Sequence, residues 1–506
     1  MTKKKKLGLK LRPGYTSVDL GRLTAEDDKE LQKYYVRREK YVDRAINMND
    51  AASYFVGAKG SGKSAVLQMV RVEFQQQHSQ VPTHVIDISP TQLAFSAFAH
   101  IDVTSPLMRD ASKTMWLYKT VWDYIIVTEV GSREYPDQYR LIDFLMSAIR
   151  GYDERQLRNL LRLSLNDQGK PETFAGRFMK LVKEIEISGD IGAEGGKIEV
   201  KTKIDPNAAA GTGKYGLLSL VHQVSTRLAD TMQSTYYILI DDLDVDWHNE
   251  QTQNAIIAAM FSSLRKICRP PNLKCVVSIQ ERIMRELPIE HMDKFRDSIC
   301  YMDWDHDTVK EIVERRISRI IEVSPAKVWG SLMPENGFDF IWERIAGRPR
   351  EAIRLASLCL AEGQRNESGK ITDVNMVTAY RKFSKDRVDD IAKELDYLYP
   401  GFDIFLRCFT GYPKEFPFAK FKDAVDFAIL KSLDEKAPRY IWVQGYEHTY
   451  HELVRLMLEN GILLYTRSRT DPAVPYEANQ HDFSLESPWL AFHHMYIAGL
   501  GLIGKA

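Results

Sequence analysis

The sequence predicts an α/β protein, and three stretches of the chain carry that prediction. The first, from Tyr54 to Ala65, reads YFVGAKGSGKSA: a short aromatic and β-branched run that breaks into three glycines, a lysine and a serine. The second is YYILIDDLD from Tyr236 to Asp244, and the third is LKCVVSIQER from Leu273 to Arg282. Each is a short apolar run that ends in polar residues, which is the pattern of a buried strand.

The glycine-rich stretch has the spacing of a phosphate-binding loop. Gly57, four further residues and then Gly62, Lys63 and Ser64 fit the pattern G-x-x-x-x-G-K-[ST]. The glycines let successive backbone N–H groups point into one concavity at the start of a helix, where a phosphate binds. The context agrees, because 52–56 is predicted to be a strand and 64–77 a helix. The predicted nucleotide-binding residues are Gly57, Lys59, Gly60, Ser61, Gly62, Lys63, Ser64 and Ala65.

The chemistry of this loop requires particular partners. Lys63 would contact the β- and γ-phosphates of ATP, and Ser64 would ligate Mg²⁺. Asp241, at the end of the second apolar run, is predicted to hold the metal through water, which makes this run a Walker B strand. Asp242 is predicted to be the general base that deprotonates the attacking water, with Asp244 as the alternative. ATP and Mg²⁺ are therefore the predicted cofactors.

The third apolar run narrows the class of ATPase. It would place Ser278 or Gln280 in contact with the γ-phosphate, as a sensor-1 residue. The chain contains no L-S-G-G-Q signature and no N-K-x-D motif, which disfavours an ABC ATPase and a GTPase.

Three later segments follow in a telling order: DKFRDSICYMDW at 293–304, DTVKEIVERR at 307–316 and GRPREAIR at 347–354. This order resembles that of AAA+ and STAND-type ATPases, in which the core is followed by an arginine segment, a helical lid and a sensor-2 turn. The resemblance implies that Arg296 is an arginine finger acting in trans. It also implies that Arg350 is the sensor-2 residue, with Arg348 as the alternative.

The chain also resembles a bacterial group of stand-alone P-loop ATPases of AAA+/STAND-like build, often found beside phage-defence genes. The similarity covers residues 34–90, the block at 236–244 and a tail from Leu453 onward. It implies a nucleotide-driven assembly switch in antiviral defence, a homo-oligomer that works with a separate effector protein. A DNA-acting motor or loader is the alternative function.

Four segments are predicted along the chain: an N-terminal tail and lead-in at 1–33, a P-loop ATPase core at 34–304, a helical lid at 305–395 and a winged-helix-like domain at 396–506. The core would contain a large α+β insertion at about 91–215, long enough that it must fold by itself. Its predicted elements are helices at 115–130 and 137–149 and a β-hairpin spanning 180–204.

The C-terminal segment is predicted from its helix at 450–459 and two wing strands, the first at 462–469 and the second at 482–489. Arg467 and Arg469 on the first wing strand would contact a phosphate backbone if the wing bound DNA. A wing that packs on protein is preferred, so nucleic acid is a possible but not favoured partner. The stretch 399–418, rich in glycine, proline and aromatic residues, is predicted to be a linker or a tight turn.

Composition sets limits on the partners. Lysine plus arginine equals aspartate plus glutamate at 69 each, so no global charge favours nucleic acid or a membrane surface. The apolar stretch at 495–504 is too short to span a bilayer. The five cysteines show no C-x-x-C spacing and no close pairs, which is typical of reduced thiols in a cytoplasmic protein.

Overall fold

The computed structural model describes residues 11–12, 20–21, 24–76, 82–89, 111–135, 158, 180, 221, 223–227, 231–243, 250–289, 291–365, 370–433, 438–466 and 489–503. The chain forms two compact units. One, here called the core unit, is Arg37–Met302; the other, the C-terminal unit, combines Met1–Val36 with Asp303–Ala506.

A parallel five-stranded sheet is the centre of the core unit. Its strands lie in the order β2-β3-β4-β1-β5, and every neighbouring pair is parallel. Their bounds are Tyr54–Gly57 (β1), Thr83–Ile88 (β2), Thr235–Ile240 (β3), Leu273–Gln280 (β4) and Ile299–Tyr301 (β5). Because all five strands run the same way, the loops that follow them meet at one edge of the sheet, where ligands bind in open α/β sheets.

Helices flank this sheet in the core unit. They are Lys63–Gln76 (α1), Ala111–Glu134 (α2), Glu250–Ile267 (α3) and Glu281–Glu286 (α4). The phosphate-binding loop thus joins β1 to α1, and the apolar run with its aspartates is β3. The P-loop α/β core that the sequence predicts is confirmed, with strand and helix bounds shifted by one or two residues.

Helix α2 corrects one expectation. It lies within the predicted insertion, and the helix predicted at 115–130 is present, but it does not fold apart from the core. Trp122 on α2 is buried and its indole N–H donates to the carbonyl oxygen of Ile256 on α3 at 3.0 Å. The two helices share one hydrophobic cluster with the strands, so α2 is a layer of the core unit. The helix predicted at 137–149 and the hairpin at 180–204 lie outside the described residues, apart from Lys180.

From Asp303 onward, the C-terminal unit begins with the helices that the sequence predicts for the lid. They are His306–Ile320 (α5), Gly337–Trp342 (α6), Pro349–Arg365 (α7) and Asp373–Leu395 (α8). The amphipathic pattern explains them: α7, for example, buries Leu355, Cys359 and Leu360 along one side. Helix α5 begins at a capping aspartate, Asp305, which accepts a hydrogen bond from the backbone N–H of Thr308 at 2.8 Å.

The remaining elements form a winged-helix-like arrangement. They are Phe402–Arg407 (α9), Glu415–Pro417 (β6), Phe418–Ser432 (α10), Tyr450–Glu459 (α11), Leu463–Thr466 (β7), Trp489–Phe492 (β8) and His494–Leu500 (α12). The three strands form an antiparallel sheet in the order β6-β8-β7. The helix predicted at 450–459 is confirmed, whereas the second wing strand predicted at 482–489 lies outside the described residues except for Trp489, which is the first residue of β8. Arg467 and Arg469 lie outside the described residues.

The stretch 399–418 was wrongly predicted to be a linker. It contains α9 and β6, the first helix and first strand of the winged-helix arrangement. Phe402, Phe405, Phe409 and Phe416 are all fully buried in the core of the C-terminal unit. The aromatic residues are there because they fill this core, and glycine and proline occur at the turns between the elements.

Among the described helices, none combines the length and the apolar character needed to cross a membrane.

Candidate nucleotide-binding site

The phosphate-binding loop is held in shape by its own lysine. The ammonium group of Lys63 donates to the carbonyl oxygens of Gly57 at 2.9 Å and Ala58 at 3.1 Å. These contacts place a positive charge in the concavity between β1 and α1. The structure also buries Ser61, leaves Lys59 exposed, and places Ala65 in the first turn of α1.

Two glycines of the loop have a clear steric reason. A Cβ atom on Gly57 would lie 2.5 Å from the Ser61 hydroxyl oxygen and 3.2 Å from the Met302 Cβ atom, so no side chain fits there. Gly62 has a φ of +91°, a conformation that residues with a side chain rarely adopt. The loop therefore needs glycine where the sequence motif places it.

Asp241 lies where strands β3 and β4 and helix α1 bring polar side chains together. It is nearly buried at the end of β3, and the hydroxyl groups of Ser278 on β4 and Ser64 on α1 lie near enough to its carboxylate to influence its pKa. Burial raises the pKa of Asp241 above its usual range, the negative charge of Asp242 adds to this, and the two serine hydroxyls act in the opposite direction. The two residues predicted to hold the metal, Ser64 and Asp241, thus lie near each other at this edge of the sheet.

Asp242 adopts an unusual backbone conformation. Its φ is +58°, in the left-handed region that residues other than glycine seldom occupy. Its N–H donates to Oδ1 of Asp241 at 3.0 Å, and its own Oδ2 accepts a hydrogen bond from the Ser89 hydroxyl at 2.9 Å. Such strain persists where the surroundings hold it in place, and it is common at functional sites. Asp244, the alternative base, lies outside the described residues.

Ser89 is a site residue that sequence analysis did not find. It follows β2, which pairs in register with β3 so that Ile88 lies opposite Ile240. This register brings Ser89 to the same edge of the sheet as Asp242, although 153 positions separate them in the sequence. No motif marks Ser89; only the pairing of β2 with β3 reveals it.

The structure gives the two sensor-1 alternatives different positions. Ser278 is buried near the Asp241 carboxylate, and its hydroxyl lowers the pKa of that group. Gln280 is partly exposed at the carboxyl end of β4 and lies opposite Gly57 in the strand register. Gln280 is therefore the residue of β4 that borders the phosphate-binding loop.

Arg296 lies away from the phosphate-binding loop of its own chain. It belongs to a short 3₁₀ segment, Met292–Ser298, that precedes β5, so it sits at the amino end of the sheet. The phosphate-binding loop leaves the opposite, carboxyl end of β1, and the three residues of β5 alone span roughly 10 Å. Arg296 is exposed and forms no ion pair with any described residue.

The two sensor-2 alternatives lie in the C-terminal unit, at the start of α7. Arg348 lies 3.5 Å from Oε1 of Glu351, which is buried and also accepts a hydrogen bond from the Ala346 N–H at 2.8 Å. Arg350 lies in the first turn of α7 and is partly exposed. Arg348 thus helps to shape the turn before α7, whereas Arg350 extends from the helix itself.

A buried lysine fixes the segment that leads into β1. Lys274 on β4 is 4% exposed, and its ammonium group donates to three carbonyl oxygens, those of Arg44 (2.7 Å), Asn47 (2.5 Å) and Asp50 (3.0 Å). Burial lowers the pKa of Lys274 to about 8, although three acceptors around one ammonium group favour the charged form. The sequence motif shows nothing of this contact, which couples β4 to the residues preceding the phosphate-binding loop.

The residues present fit a magnesium ion that is bound together with a nucleotide. The described residues contain no group of three or more histidine, cysteine or acidic side chains able to hold a metal. Mg²⁺ in nucleotide sites uses one or two protein oxygen ligands and takes the others from phosphates and water. Ser64 and Asp241, which lie near each other, supply a donor set of that kind.

The chain is similar in sequence to a known family over one segment and to a known protein over most of its length. Residues 307–392 match a family described as the FunZ-associated C-terminal helical domain, which corresponds to helices α5 to α8. A second similarity is to the putative transposon gamma-delta 80.3 kDa protein of Escherichia coli K12, at 20% identity over 412 residues. That alignment covers 78% of this chain but only 54% of the relative, so the chain spans about half the relative's length.

Solved structures with a similar fold include two archaeal proteins. One is the Aeropyrum pernix ORC1 protein in complex with DNA, with a TM-score of 0.41 and 11% identity, covering 94% of this chain and 96% of that one. The other is the Walker-type ATPase PABY2304 of Pyrococcus abyssi, with a TM-score of 0.38 and 12% identity, covering 96% of this chain and 99% of that one. At these values the likeness carries no argument about function, which rests on the site's own geometry.

Proposed function

We propose that this protein binds Mg·ATP at its phosphate-binding loop and hydrolyses it, and that it works as a nucleotide-driven assembly switch. The observation that carries the proposal is the placement of Ser64, at the end of the loop, near the Asp241 carboxylate at the end of β3, with Asp242 following directly. A strand, a phosphate-binding loop, a metal-binding serine and a paired acid are the parts that hydrolysis of a nucleotide triphosphate requires.

Each residue has a stated task in this mechanism. Lys63 and the backbone N–H groups of the loop stabilise negative charge on the phosphates. Ser64 and Asp241 would hold Mg²⁺, which when bound neutralises charge on the phosphate oxygens. Asp242 accepts the proton of the attacking water. Its Oδ2 is engaged by Ser89, while Oδ1 accepts no hydrogen bond from the described residues and is the oxygen proposed to take the proton.

Removal of the base alone tests the hydrolysis step. Asp242→Asn should bind ATP with nearly unchanged affinity and release phosphate at least ~100-fold more slowly, since about 3 kcal/mol of transition-state stabilisation is lost. Ser89→Ala, which removes only the hydrogen bond to Asp242, should slow turnover by a smaller factor of roughly 3–10, the effect of one hydrogen bond.

The matched control is Asp373→Asn, an exposed aspartate in the first turn of α8, away from the segment that contains Arg296. It should turn over ATP at the wild-type rate. Wild-type turnover by Asp242→Asn would instead move the base to Asp244 or elsewhere.

The proposal extends to assembly. Arg296 lies at the sheet edge opposite its own phosphate-binding loop, so it would reach a γ-phosphate only in a neighbouring subunit. An arginine supplied in trans stabilises transition-state charge in other nucleotide hydrolases. Hydrolysis in this proposal therefore takes place between identical subunits, and Gln280 and Arg350 are proposed as the residues that sense the nucleotide.

We further propose that this switch is the ATPase component of an antiviral system and acts on a separate effector protein. The sequence resemblance to ATPases found beside phage-defence genes supports this role. The chain itself shows no nuclease, deaminase, protease or TIR-like constellation in its sequence, so an effector would be a second protein. A gene for such an effector should adjoin the gene for this chain, and a locus without one would contradict the role.

A DNA motor or loader is the second candidate, favoured by the winged-helix-like arrangement alone. Helix α11, which would enter a groove of DNA in such a domain, exposes Glu452, Arg455 and Glu459. These three side chains give the exposed face a net negative charge, which phosphate groups would repel. A protein surface therefore suits this helix better.

A further inference from the structure

Two cysteines that are apart in the sequence meet in the core unit. Cys268 directly follows α3 and Cys275 is the third residue of β4. Their sulfur atoms lie 2.9 Å apart, nearer than the roughly 3.5–4.0 Å at which non-bonded carbon atoms rest. Seven positions separate the two residues in the sequence, and the turn 269–272 folds back so that the two thiols touch.

The other three thiols have different surroundings. Cys300 lies 3.4 Å from the carbonyl oxygen of Lys40, and Cys408 lies 3.7 Å from that of Ile404. Cys359 is fully buried, and burial raises its pKa to about 12. All five cysteines are free thiols in the structure. The pair at 268 and 275 is therefore distinguished by contact between the two sulfur atoms themselves.

The two thiols of the pair differ in their exposure to solvent. Cys268 is partly exposed, whereas Cys275 is 1% exposed. Burial, together with the adjacent Cys268, raises the pKa of the Cys275 thiol well above its usual range. Because the thiolate is the reactive form and must be reached by the oxidant, Cys268 is the sulfur that reacts first.

We propose that Cys268 and Cys275 form an oxidative modification site, at which a hydroperoxide converts the two thiols into an intramolecular disulfide. In the first step the Cys268 thiolate attacks the O–O bond of hydrogen peroxide; the sulfur gains one oxygen as a sulfenic acid and hydroxide leaves. In the second step the Cys275 thiol loses its proton and its sulfur attacks the Cys268 sulfur, displacing the sulfenic oxygen as water. Two thiols and one peroxide thus give one disulfide and two waters.

This bond would join two elements of the core unit at the start of β4. Cys275 adjoins Lys274, which holds the segment 44–50 that precedes β1. The same strand continues to Ser278 at the nucleotide site. A disulfide that closes this short loop restricts the unfolded chain, so oxidation should raise the thermal midpoint of the protein by about 5 °C. The proposal is independent of the ATPase function.

The test is a peptide map of the full chain after treatment with hydrogen peroxide and blocking of the remaining thiols. Trypsin cuts after Lys266, Lys274 and Arg282 and spares the Arg269–Pro270 bond, so each cysteine falls in its own peptide, Ile267–Lys274 or Cys275–Arg282. The expected result is a linked pair of these peptides, short of two hydrogen atoms, that separates on reduction. The oxidised protein should also melt at a higher temperature than the reduced one.

Two variants sharpen the test. Cys300→Ser should still give the linked peptides, whereas Cys268→Ser, a change at a partly exposed position, should abolish both the link and the gain in melting temperature. If peroxide leaves both peptides separately blocked, or drives Cys268 to a sulfinic acid without a link, the proposal is wrong. A linked pair without any change in the melting temperature would overturn the stabilising role.

Discussion

Asp242 shows how a single residue is prepared for chemistry. Its left-handed backbone costs on the order of 1–3 kcal/mol, and two hydrogen bonds, one to Asp241 and one from Ser89, hold it there. An aspartate side chain is one methylene shorter than a glutamate and has a shorter reach. The strained backbone and the contact with Ser89 fix the direction of the shorter side chain. An aspartate on a flexible backbone would have no such fixed direction.

Asp241 should carry a cost in stability that is visible as a pH dependence. Its pKa is raised in the folded state, chiefly by burial, so its ionised form is less favourable when folded than when unfolded. Stability should therefore be lost as the pH rises from the unfolded pKa through the folded one, and the cost is fully present at neutral pH. Asp241→Asn cannot ionise, so it should melt higher at pH 7 and lose this pH dependence while weakening metal-dependent ATP binding.

Thermal melts between pH 3 and pH 7 on both proteins, without nucleotide, check this prediction. A lower melting temperature for Asp241→Asn at pH 7 would show that the ionised carboxylate stabilises the fold through its serine partners. That result would contradict burial as the dominant influence on this residue.

At this scale the sequence could predict the residues that belong to local motifs. The motifs predict Lys63, Ser64, Asp241 and Asp242 because fixed spacing carries their chemistry, and the structure places Ser64 near Asp241. The roles assigned to them stay predictions. Ser89 could not be found in this way, since its position depends on strand pairing across a separation of 153 residues.

Secondary-structure elements were predictable where one pattern dominated. Strands β3 and β4, 6 and 8 residues long, are mainly apolar runs that end at polar residues, so both were predicted within two residues. The prediction of a linker at 399–418 failed because glycine and proline, which mark turns, outweighed the aromatic residues that form the core. The prediction that helix α2 belongs to a separately folded insertion failed for another reason. Its distance from β3 in the sequence suggested an insertion, although its buried face packs on α3.

The winged-helix-like elements give a prediction about nucleic acid. The protein-contact interpretation expects no salt-sensitive binding of duplex DNA by the full chain. If DNA does bind, its affinity should fall steeply with salt, and changing both Arg467 and Arg469 to Gln should make the slope of log K against log[salt] shallower by about two units. Titration of labelled duplex at several salt concentrations checks this. Tight, salt-dependent binding would favour the loader over the switch.

On the scale of the whole molecule, the C-terminal unit is built around one hydrophobic cluster. This cluster extends from Val309 on α5 to Leu502 beyond α12, so the lid helices and the winged-helix-like elements share a core. Gly499 permits close contact between α12 and α8, because a Cβ atom there would lie 2.5 Å from the carbonyl oxygen of Ser384. The sequence could not predict this sharing, since the contacts join segments more than a hundred residues apart.

Hydrolysis should depend on assembly if Arg296 acts in trans. Specific activity should rise with protein concentration, and Arg296→Ala should flatten that rise while ATP affinity stays nearly unchanged. The loss in turnover should approach the roughly 10³-fold or greater effect of arginine fingers elsewhere. Mixing Arg296→Ala with inactive Lys63→Ala subunits should restore some turnover, because one supplies an intact loop and the other an intact arginine. Constant activity per subunit on dilution, or no recovery in the mixture, would make Arg296 an ordinary surface residue.

ATP binding by the wild type and by Lys63→Ala tests the central claim most directly. The ammonium group of Lys63 lies within the loop that is to hold the phosphates, so its removal takes away the main countercharge. Calorimetric titration with Mg·ATP should show saturable binding by the wild type and by the control Lys294→Ala, which lacks an exposed lysine of the 3₁₀ segment. Lys63→Ala should bind at least ~100-fold more weakly, a loss of about 3 kcal/mol. Equal affinity in Lys63→Ala and the wild type would contradict the assignment of this loop as the nucleotide site.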